Sequence, residues 1–283
     1  MALIVFTSLA GSPGVTTSTI AAGVHWPRPV VVIEADTGAV GQMMTGFFRA
    51  NLDAAAGMHQ VTLALARDAL TVDTVLDPAG GIAIPVHLLP VADRTPIPAL
   101  PAAHRMWVIP GYRDLATLDG VHSIWQRLPD LAHQLDRRGV DVLIDLGRLS
   151  IDDRRLPLLD AADQVVIVAS STMSDLNRLH KRLRLPDLAD RARILGADRY
   201  SLLLTDAPTA HVTAADFARA VLPVLSTVGF DPTGAAVFAH GNEDPKPARN
   251  RYRQHTRRVV TALTTRLAHQ SANVPAGAAA GAR

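Results

Sequence analysis

The chain alternates between short apolar runs and segments of small or polar residues at helical spacing. The runs at residues 2–7 (ALIVFT) and 29–35 (PVVVIEA) are rich in β-branched residues, and they show no regular alternation of apolar and polar positions. Strands that are apolar on both faces are typical of a parallel sheet covered by helices on both sides. These two runs therefore predict the first strands of such a sheet.

A loop and a helix connect the two strands. Residues 9–14 are small and glycine-rich, and residues 15–24 (VTTSTIAAGV) have the composition of a helix packed tightly against a sheet. The order strand, loop, helix, strand predicts a βαβ unit with a right-handed crossover. In such units a ligand binds at the carboxyl ends of the strands.

The same alternation continues along the chain. Residues 41–70 are expected to be helical, and prolines divide the region from 82 to 110 into short strands and loops, with apolar stretches at 82–91 and 106–109. This pattern implies an α/β fold: a doubly wound, mostly parallel sheet of about seven or eight strands with helices on both faces. A helix is predicted over 121–138, and strands over 140–146, 162–169, 200–205 and 221–228.

The pattern also divides the chain into three regions. Residues 1–241 are expected to form one α/β domain, because the strands and helices continue without a linker. Residues 242–270 begin with a polar, proline-containing stretch and continue as a basic helical segment, which we expect to pack on or beside the domain. Residues 271–283 are rich in alanine and glycine and predict a disordered tail.

Composition narrows the classes of function. The chain has 283 residues, of which 48% are hydrophobic and 19% charged, so it can bury a large core. It has no cysteine, which excludes disulfides, thiolate metal sites and cysteine nucleophiles. The apolar run at the start is too short for a signal peptide or a spanning helix. We therefore expect a cytoplasmic protein without a transmembrane segment.

The loop at residues 10–17 (AGSPGVTT) lies where a phosphate-binding loop lies, between a buried strand and the start of a helix. Backbone N–H groups in a glycine loop and the dipole of the following helix favour an anion without any side-chain charge. Lys181 and Lys246 are the only lysines of the chain, so no lysine is near this loop in sequence. The alternative is a tight strand-to-helix turn that binds nothing.

The loop resembles the deviant phosphate loop KGGVGKTT of the ParA/MinD family of P-loop ATPases. Ala10 and Val15 stand where that family has its two lysines, one of which reaches across a dimer while the other contacts the terminal phosphates. The resemblance implies ATP as the ligand, but with weak or absent hydrolysis, because phosphoryl transfer needs cations on the transferred phosphate. The implied cofactor-binding residues of the loop are Gly11, Ser12, Pro13, Gly14, Val15, Thr16 and Thr17.

The resemblance also assigns roles outside the loop. Thr16 and Asp145, which follows an apolar strand, match the residues that hold Mg²⁺ in the family. Glu34 and Asp36 end the second strand in the order E-A-D and resemble the family's D-x-D element, which implies catalytic positions. Asp206 lies where the family often has an asparagine that reads the base, although a turn cap explains it equally well.

The form of these motifs is similar to an actinobacterial group related to the TadZ/CpaE branch of the family. The resemblance implies a homodimeric, hydrolysis-deficient pseudo-ATPase that positions a larger assembly, such as pilus, secretion or cell-division machinery. Such a protein is recruited to a pole, a septum or a membrane-bound machine.

Two other functions remain open. A partition or septum-site protein could bind DNA non-specifically through the basic segment, since each arginine that meets a phosphate adds salt-dependent affinity. A nucleotide-free interaction scaffold is the third possibility. The arginines that the DNA hypothesis requires are Arg249, Arg251, Arg253, Arg257 and Arg258, and a solvated helix face is the simpler explanation for them.

Overall fold

A computed structural model describes residues 2–11, 13–38, 41–50, 52, 55–89, 100–101, 103–113, 123–209 and 212–273. These residues contain an eight-stranded sheet in the order β3-β4-β2-β5-β1-β6-β7-β8. The strands are β1 (Leu3–Ser8), β2 (Val30–Glu34), β3 (Ile84–Pro85), β4 (Met106–Ile109), β5 (Asp141–Arg148), β6 (Gln164–Ser170), β7 (Tyr200–Thr205) and β8 (Val224–Val228).

Seven of the strands run parallel, and only the two-residue edge strand β3 pairs antiparallel with its neighbour β4. Strands β1, β5 and β2 lie side by side in the middle of the sheet. The prediction of a mostly parallel sheet of seven or eight strands is therefore confirmed, because parallel neighbours require crossover connections and the sequence supplies them as helices.

Helices cover both faces of the sheet. The side chains of β1 alternate between two apolar clusters, with Leu3 and Val5 in one and Ile4 and Phe6 in the other. Helices α2 to α8 complete the first cluster, and α1, α9 and α10 complete the second. The helices are α1 (Val15–His25), α2 (Met58–Ala66), α3 (Val72–Leu76), α4 (Ile124–Arg137), α5 (Leu156–Ala161), α6 (Met173–Arg182), α7 (Pro186–Leu195), α8 (Ala214–Ala220), α9 (Pro232–Ala239) and α10 (Arg251–Asn273).

The region predicted as one helix over residues 41–70 holds two separate elements. A π-helical turn spans Met43–Phe47, and α2 begins only at Met58. Between them Gly57 has φ 129°, and a Cβ at this position would lie 2.7 Å from the carbonyl oxygen of Pro110. Only glycine permits this backbone conformation and this close approach, so the helix cannot continue through the segment.

Other predicted boundaries are near those of the structure. The stretch at 82–91 contributes β3 and a short 3₁₀ turn at Val86–Leu88, and residues 90–91 lie outside the described part. The basic helix extends to Asn273 and so includes the first three residues of the predicted tail. The rest of that tail, residues 274–283, lies outside the described residues. Within the described ranges, none of the helices combines the length and hydropathy needed to cross a bilayer.

Helix α10 packs on the domain through an apolar face. Tyr252, Val259, Val260 and Leu263 are buried in the cluster that also contains residues of α1 and α9. Burial of these side chains is worth roughly 1.5–3 kcal/mol each relative to exposure, so the cluster is a strong anchor for the helix.

One arginine of α10 belongs to this anchor rather than to the surface. Arg253 is 3% exposed, forms a buried ion pair with Asp244, and lies 5.3 Å from the ring centroid of Phe238. The prediction that Arg253 contacts DNA is therefore wrong, because its guanidinium is engaged inside the fold. Arg249, Arg251, Arg257 and Arg258 are exposed.

Truncation of the docked face of α10 tests its contribution. We expect Leu263→Ala to lower the free energy of unfolding by about 2–5 kcal/mol, since Leu263 is fully buried and its removal leaves a cavity. Arg257→Ala, on the exposed face of the same helix, is the control and should change stability by less than about 0.5 kcal/mol. Urea unfolding followed by circular dichroism measures both, and equal values would show that α10 is not anchored in this way.

Candidate functional site

The loop between β1 and α1 has the geometry of an anion-binding turn. Gly11 and Gly14 adopt positive φ angles of 63° and 90°, which glycine reaches without steric cost. Gly14 is the N-cap residue of α1, and no side chain caps the helix start among the described residues. The N–H groups of the first turn, and the positive end of the helix dipole, are thus left for a ligand.

A cleft of about 760 Å³ opens in front of this turn. It is wide enough for a ligand of nucleotide size. One wall is the loop and the first turn of α1, a second is the segment after β2, and a third is the end of β5. The lining residues that sequence reasoning had selected are Gly11, Gly14, Val15, Thr16, Thr17 and Asp36.

The two positions without lysine are filled by packed apolar side chains. Ala10 and Val15 are each 5% exposed, and Val15 belongs to the same apolar cluster as Phe6 and Ile20. Val15, the first residue of α1, also lines the cleft. Of the remaining predicted loop residues, Pro13 is not among the lining residues and Ser12 lies outside the described residues.

Asp145 lies behind the loop with one carboxylate oxygen unused. The residue is 0% exposed; its Oδ1 accepts a hydrogen bond of 2.8 Å from the N–H of Gly147, and its Oδ2 has no partner. Burial raises the pKa of Asp145 to about 7, while the neighbouring Thr16 hydroxyl and the Gly147 amide lower it. Thr16 thus lies close to the carboxylate, although not in the strict hydrogen-bond geometry that would satisfy Oδ2.

These two side chains fit a magnesium ion. A buried carboxylate oxygen without a partner is costly, and a divalent cation beside the Thr16 hydroxyl would satisfy it. In the described part of the chain no three His, Cys, Asp or Glu side chains converge on one point. That arrangement agrees with Mg²⁺, which proteins hold through one or two side chains while water and substrate phosphates complete the octahedron.

Glu34 lies beside Asp145 but is fully engaged with the backbone. The two residues are register partners on β2 and β5, and Glu34 is 0% exposed. Its Oε1 accepts a 2.6 Å hydrogen bond from the N–H of Gln42, and its Oε2 accepts one of 2.8 Å from the N–H of Gly111. Burial, with the nearby Asp145 charge as a smaller contribution, raises the pKa of Glu34 to about 7. Its catalytic role stays a prediction, and these hydrogen bonds favour a role in positioning two loops.

Asp36 is directed toward the cleft. It is half-buried, accepts a 2.8 Å hydrogen bond from the N–H of Gly38, and packs directly against Gly147. A Cβ at Gly147 would overlap the Asp36 carboxylate, and Gly147 also has φ 56°. Asp36 raises the pKa of Asp145 through charge repulsion, so one carboxylate at the surface of the cleft lies near a second one buried behind it.

The structure does not place Asp206 in the wall of the cleft. It follows β7, its N–H donates to the carbonyl of Val228, and its Oδ1 accepts a 3.4 Å hydrogen bond from the hydroxyl of Ser171. These contacts are those of a residue that joins the ends of neighbouring strands. A role for Asp206 in reading a base stays a prediction.

Nine residues that line the cleft are not among the site residues predicted from the sequence: Ser8, Gly38, Gln42, Thr45, Gly46, Gly147, Arg148, Ala239 and His240. Gln42, Thr45 and Gly46 come from the π-helical region, and Ala239 and His240 from the end of α9. Gly46 approaches the Ala239 carbonyl so closely that a Cβ would not fit, and only the tertiary structure shows this contact. Arg148, at the end of β5, had a sequence signal: it is the first basic residue after Asp145.

Comparison with known proteins gives matches in structure only. No protein-family model matches the sequence, and no characterised protein matches it significantly. The fold is similar to the septum site-determining protein MinD of Pyrococcus horikoshii, solved with Mg-ADP, at 16% identity and a TM-score of 0.64, covering 97% of this chain and 100% of that one.

Two further solved structures are similar over nearly the whole chain. One is a ParA family ATPase of Chlorobium tepidum, at 15% identity and a TM-score of 0.63, covering 93% of this chain and 98% of that one. The other is the MinC:MinD cell division complex of Aquifex aeolicus, at 14% identity and a TM-score of 0.61, covering 94% of this chain and 96% of that one. The chain therefore has the fold of the MinD and ParA ATPases, as the sequence predicted.

The two raised carboxylate pKa values predict how stability depends on pH. An acid whose folded pKa of about 7 exceeds its ordinary value of 3.8 stabilises the fold at low pH, and this stability is lost as pH rises through 7. The variant Asp145→Asn has no carboxyl group to ionise at this position, so it does not lose this stability as pH rises. Its free energy of unfolding relative to wild type should therefore increase from about pH 5 to about pH 8 in the absence of metal and nucleotide.

The comparison between variant and wild type is needed because buried histidines act in the opposite direction. Burial lowers the pKa of His25 to about 4, so its contribution to stability grows with pH up to its ordinary value of 6.5. Urea unfolding at both pH values measures the difference, with the exposed Asp68→Asn as the control. If the free energies of unfolding of Asp145→Asn and wild type differ by the same amount at both pH values, a raised pKa at Asp145 is contradicted.

Proposed function

We propose that this chain is a MinD/ParA-like protein that binds ATP with Mg²⁺, hydrolyses it weakly or not at all, and positions a larger assembly. The observation that carries the proposal is the buried Asp145, whose unpartnered Oδ2 lies beside Thr16 at the start of an uncapped helix. A turn that binds nothing has no need of a fully buried carboxylate at this point.

Binding without the loop lysines rests on the backbone. The positive φ angles of Gly11 and Gly14 shape the turn, and the first-turn N–H groups of Val15, Thr16 and Thr17 are in place to donate to phosphate oxygens. Thr16 and Asp145 would hold the metal, which supplies positive charge to the phosphates when bound. The metal would also offset the negative charges of Asp36 and of the buried Asp145, which would otherwise repel the phosphates.

Weak hydrolysis follows from the groups that the site lacks or has engaged. Preorganised cations on the transferred phosphate are worth several orders of magnitude in rate, and the loop positions Ala10 and Val15 supply none. Glu34, the candidate to orient a water molecule, has both oxygens engaged by backbone N–H groups. The site is thus built to retain a nucleotide rather than to turn it over.

The proposed role in positioning is drawn from the class of fold. The similar structures include a septum site-determining protein and a MinC:MinD cell division complex, so at least one protein of this fold assembles with a protein partner. We extend this to the present chain as a homodimer in the cytoplasm that is recruited to a pole, a septum or a membrane-bound machine. The TadZ/CpaE-like motifs favour pilus or secretion machinery as the assembly.

Calorimetry with ATP and Mg²⁺ tests the nucleotide site. We expect saturable binding at micromolar concentration with hydrolysis near background, because backbone donors and the metal remain while the lysines do not. Thr16→Ala and Asp145→Asn should each weaken Mg²⁺-dependent binding by about 10-fold or more, as expected for the loss of a charge-assisted contact. The matched control Thr261→Ala removes an exposed hydroxyl from α10 and should bind as wild type does.

Each other result has a defined meaning. Brisk hydrolysis would contradict the pseudo-ATPase assignment. No binding at millimolar nucleotide would contradict the proposal and leave an interaction scaffold. Equal binding by wild type and Asp145→Asn, with and without Mg²⁺, would show that the metal is held elsewhere.

DNA binding is a second candidate because α10 carries exposed arginines. Arg257 and Arg258 are exposed, and no ion pair of either is found among the described residues. If they contact phosphates, retention on DNA should fall steeply between low and physiological salt, and the double variant Arg257→Ala/Arg258→Ala should lose it. Gel-shift titration at several salt concentrations measures this. Absence of DNA binding at low salt would rule this candidate out.

A further inference from the structure

The cleft has an unbalanced charge if it holds a nucleotide. Asp36 lines it and Asp145 lies directly behind it, whereas the loop carries no cationic side chain. One magnesium ion cannot neutralise a triphosphate together with these carboxylates. A second cation is needed, and the residues that line the cleft offer two basic side chains, Arg148 and His240.

Arg148 is held at the right place by its backbone. Its Cα is the register partner of Ser8 at the last position of β1, where the loop begins. The carbonyl of Arg148 accepts a 2.9 Å hydrogen bond from the buried Arg155, and the next residue, Leu149, donates a 2.9 Å hydrogen bond to the carbonyl of Ser8. The backbone is therefore fixed on both sides of the residue.

The side chain of Arg148, in contrast to its backbone, is not held by any of the described residues. It is exposed, and no hydrogen bond or ion pair of its guanidinium is found among the described residues. Arg148 also lines a second cavity, of about 560 Å³, on the other side of Gly11. That cavity is basic, since Arg178, Lys181 and Arg182 line it as well, and none of the described residues that line it is acidic.

The two sides of Arg148 thus differ in electrostatic potential. The basic cavity has Lys181 on its wall together with Arg182, which is paired with Asp187 at 2.6 Å, and Arg178, which is paired more loosely with Asp175 at 3.8 Å. Toward the cleft the guanidinium of Arg148 meets Asp36 and the place of the phosphates. Repulsion on one side and attraction on the other direct the guanidinium into the cleft, and more strongly when a polyphosphate is bound.

We propose that Arg148 is the terminal-phosphate ligand of this site and replaces from β5 the charge that the loop lost at Ala10 and Val15. The guanidinium reaches over Gly11, which lines both cavities as Arg148 does, and donates hydrogen bonds to phosphate oxygens. This inference rests on the proposed nucleotide binding. It adds Arg148 to the residues of the proposed site and predicts that the site prefers nucleotides with more phosphates. The site should distinguish ligands by their number of phosphates.

The test is calorimetry of ATP, ADP and AMP, each with Mg²⁺, on the full chain. Arg148→Ala should weaken ATP binding by about 10-fold or more, the usual loss for a charge-assisted hydrogen bond, and should leave AMP binding within about 2-fold. Arg148→Lys keeps the charge and should retain most of the affinity for ATP. The control Arg184→Ala removes an exposed arginine outside both cavities and should change none of the three affinities.

The outcomes separate this inference from the proposed function. If wild type binds none of the three nucleotides, the proposed function fails, and the inference fails with it. If wild type binds ATP but Arg148→Ala keeps the same ratio of ATP to ADP affinity, only the assignment of Arg148 is overturned. An equal loss for ATP and AMP also overturns it. Thermal unfolding without nucleotide shows whether the variant is folded, and it should match wild type because Arg148 is exposed.

Discussion

The parallel register of β1, β5 and β2 at the centre of the sheet determines where the site lies. Phe6 is opposite Asp145, and Asp145 is opposite Glu34, so the three strands end together at the carboxyl edge. The loop after β1, the buried carboxylate on β5 and the E-A-D segment after β2 therefore meet in a single cleft. Everything else in the fold, including the two apolar layers, holds this register in place.

Burial of acidic side chains is the main electrostatic feature of this edge. Glu34 is stabilised by backbone N–H groups, whereas Asp145 retains an oxygen without a partner. The difference indicates two roles on neighbouring strands. Glu34 secures the segments at Gln42 and Gly111, and Asp145 is left to bind something that the chain itself does not provide.

The absence of lysine from the loop is compatible with this arrangement. Val15 belongs to the apolar cluster and also lines the cleft, so an apolar residue and not a charged one holds the start of α1 against the core. Positive charge is present instead at the end of β5 and on α6, next to the loop in space but distant in sequence. A site that moves its cations off the loop can keep a nucleotide while losing the chemistry that depends on their exact placement.

Much of the fold could be predicted from local pattern. The apolar strands, the βαβ unit and the position of the loop follow from composition and periodicity, because doubly covered parallel strands must be apolar on both faces. The acidic residues Glu34, Asp36 and Asp145 could be placed at the strand ends for the same reason. In these features each residue's role depends on its neighbours in the chain.

The remaining features depend on contacts between distant segments. Gly57 interrupts a predicted helix because it meets the Pro110 carbonyl, and Arg253 is buried because it meets Asp244. His240 and Arg148 enter the cleft from α9 and β5. Sequence by itself determined the fold class and the position of the glycine loop between β1 and α1, while the tertiary structure decided which charges face that loop, since charge balance is set by distance in space and not by order in the chain.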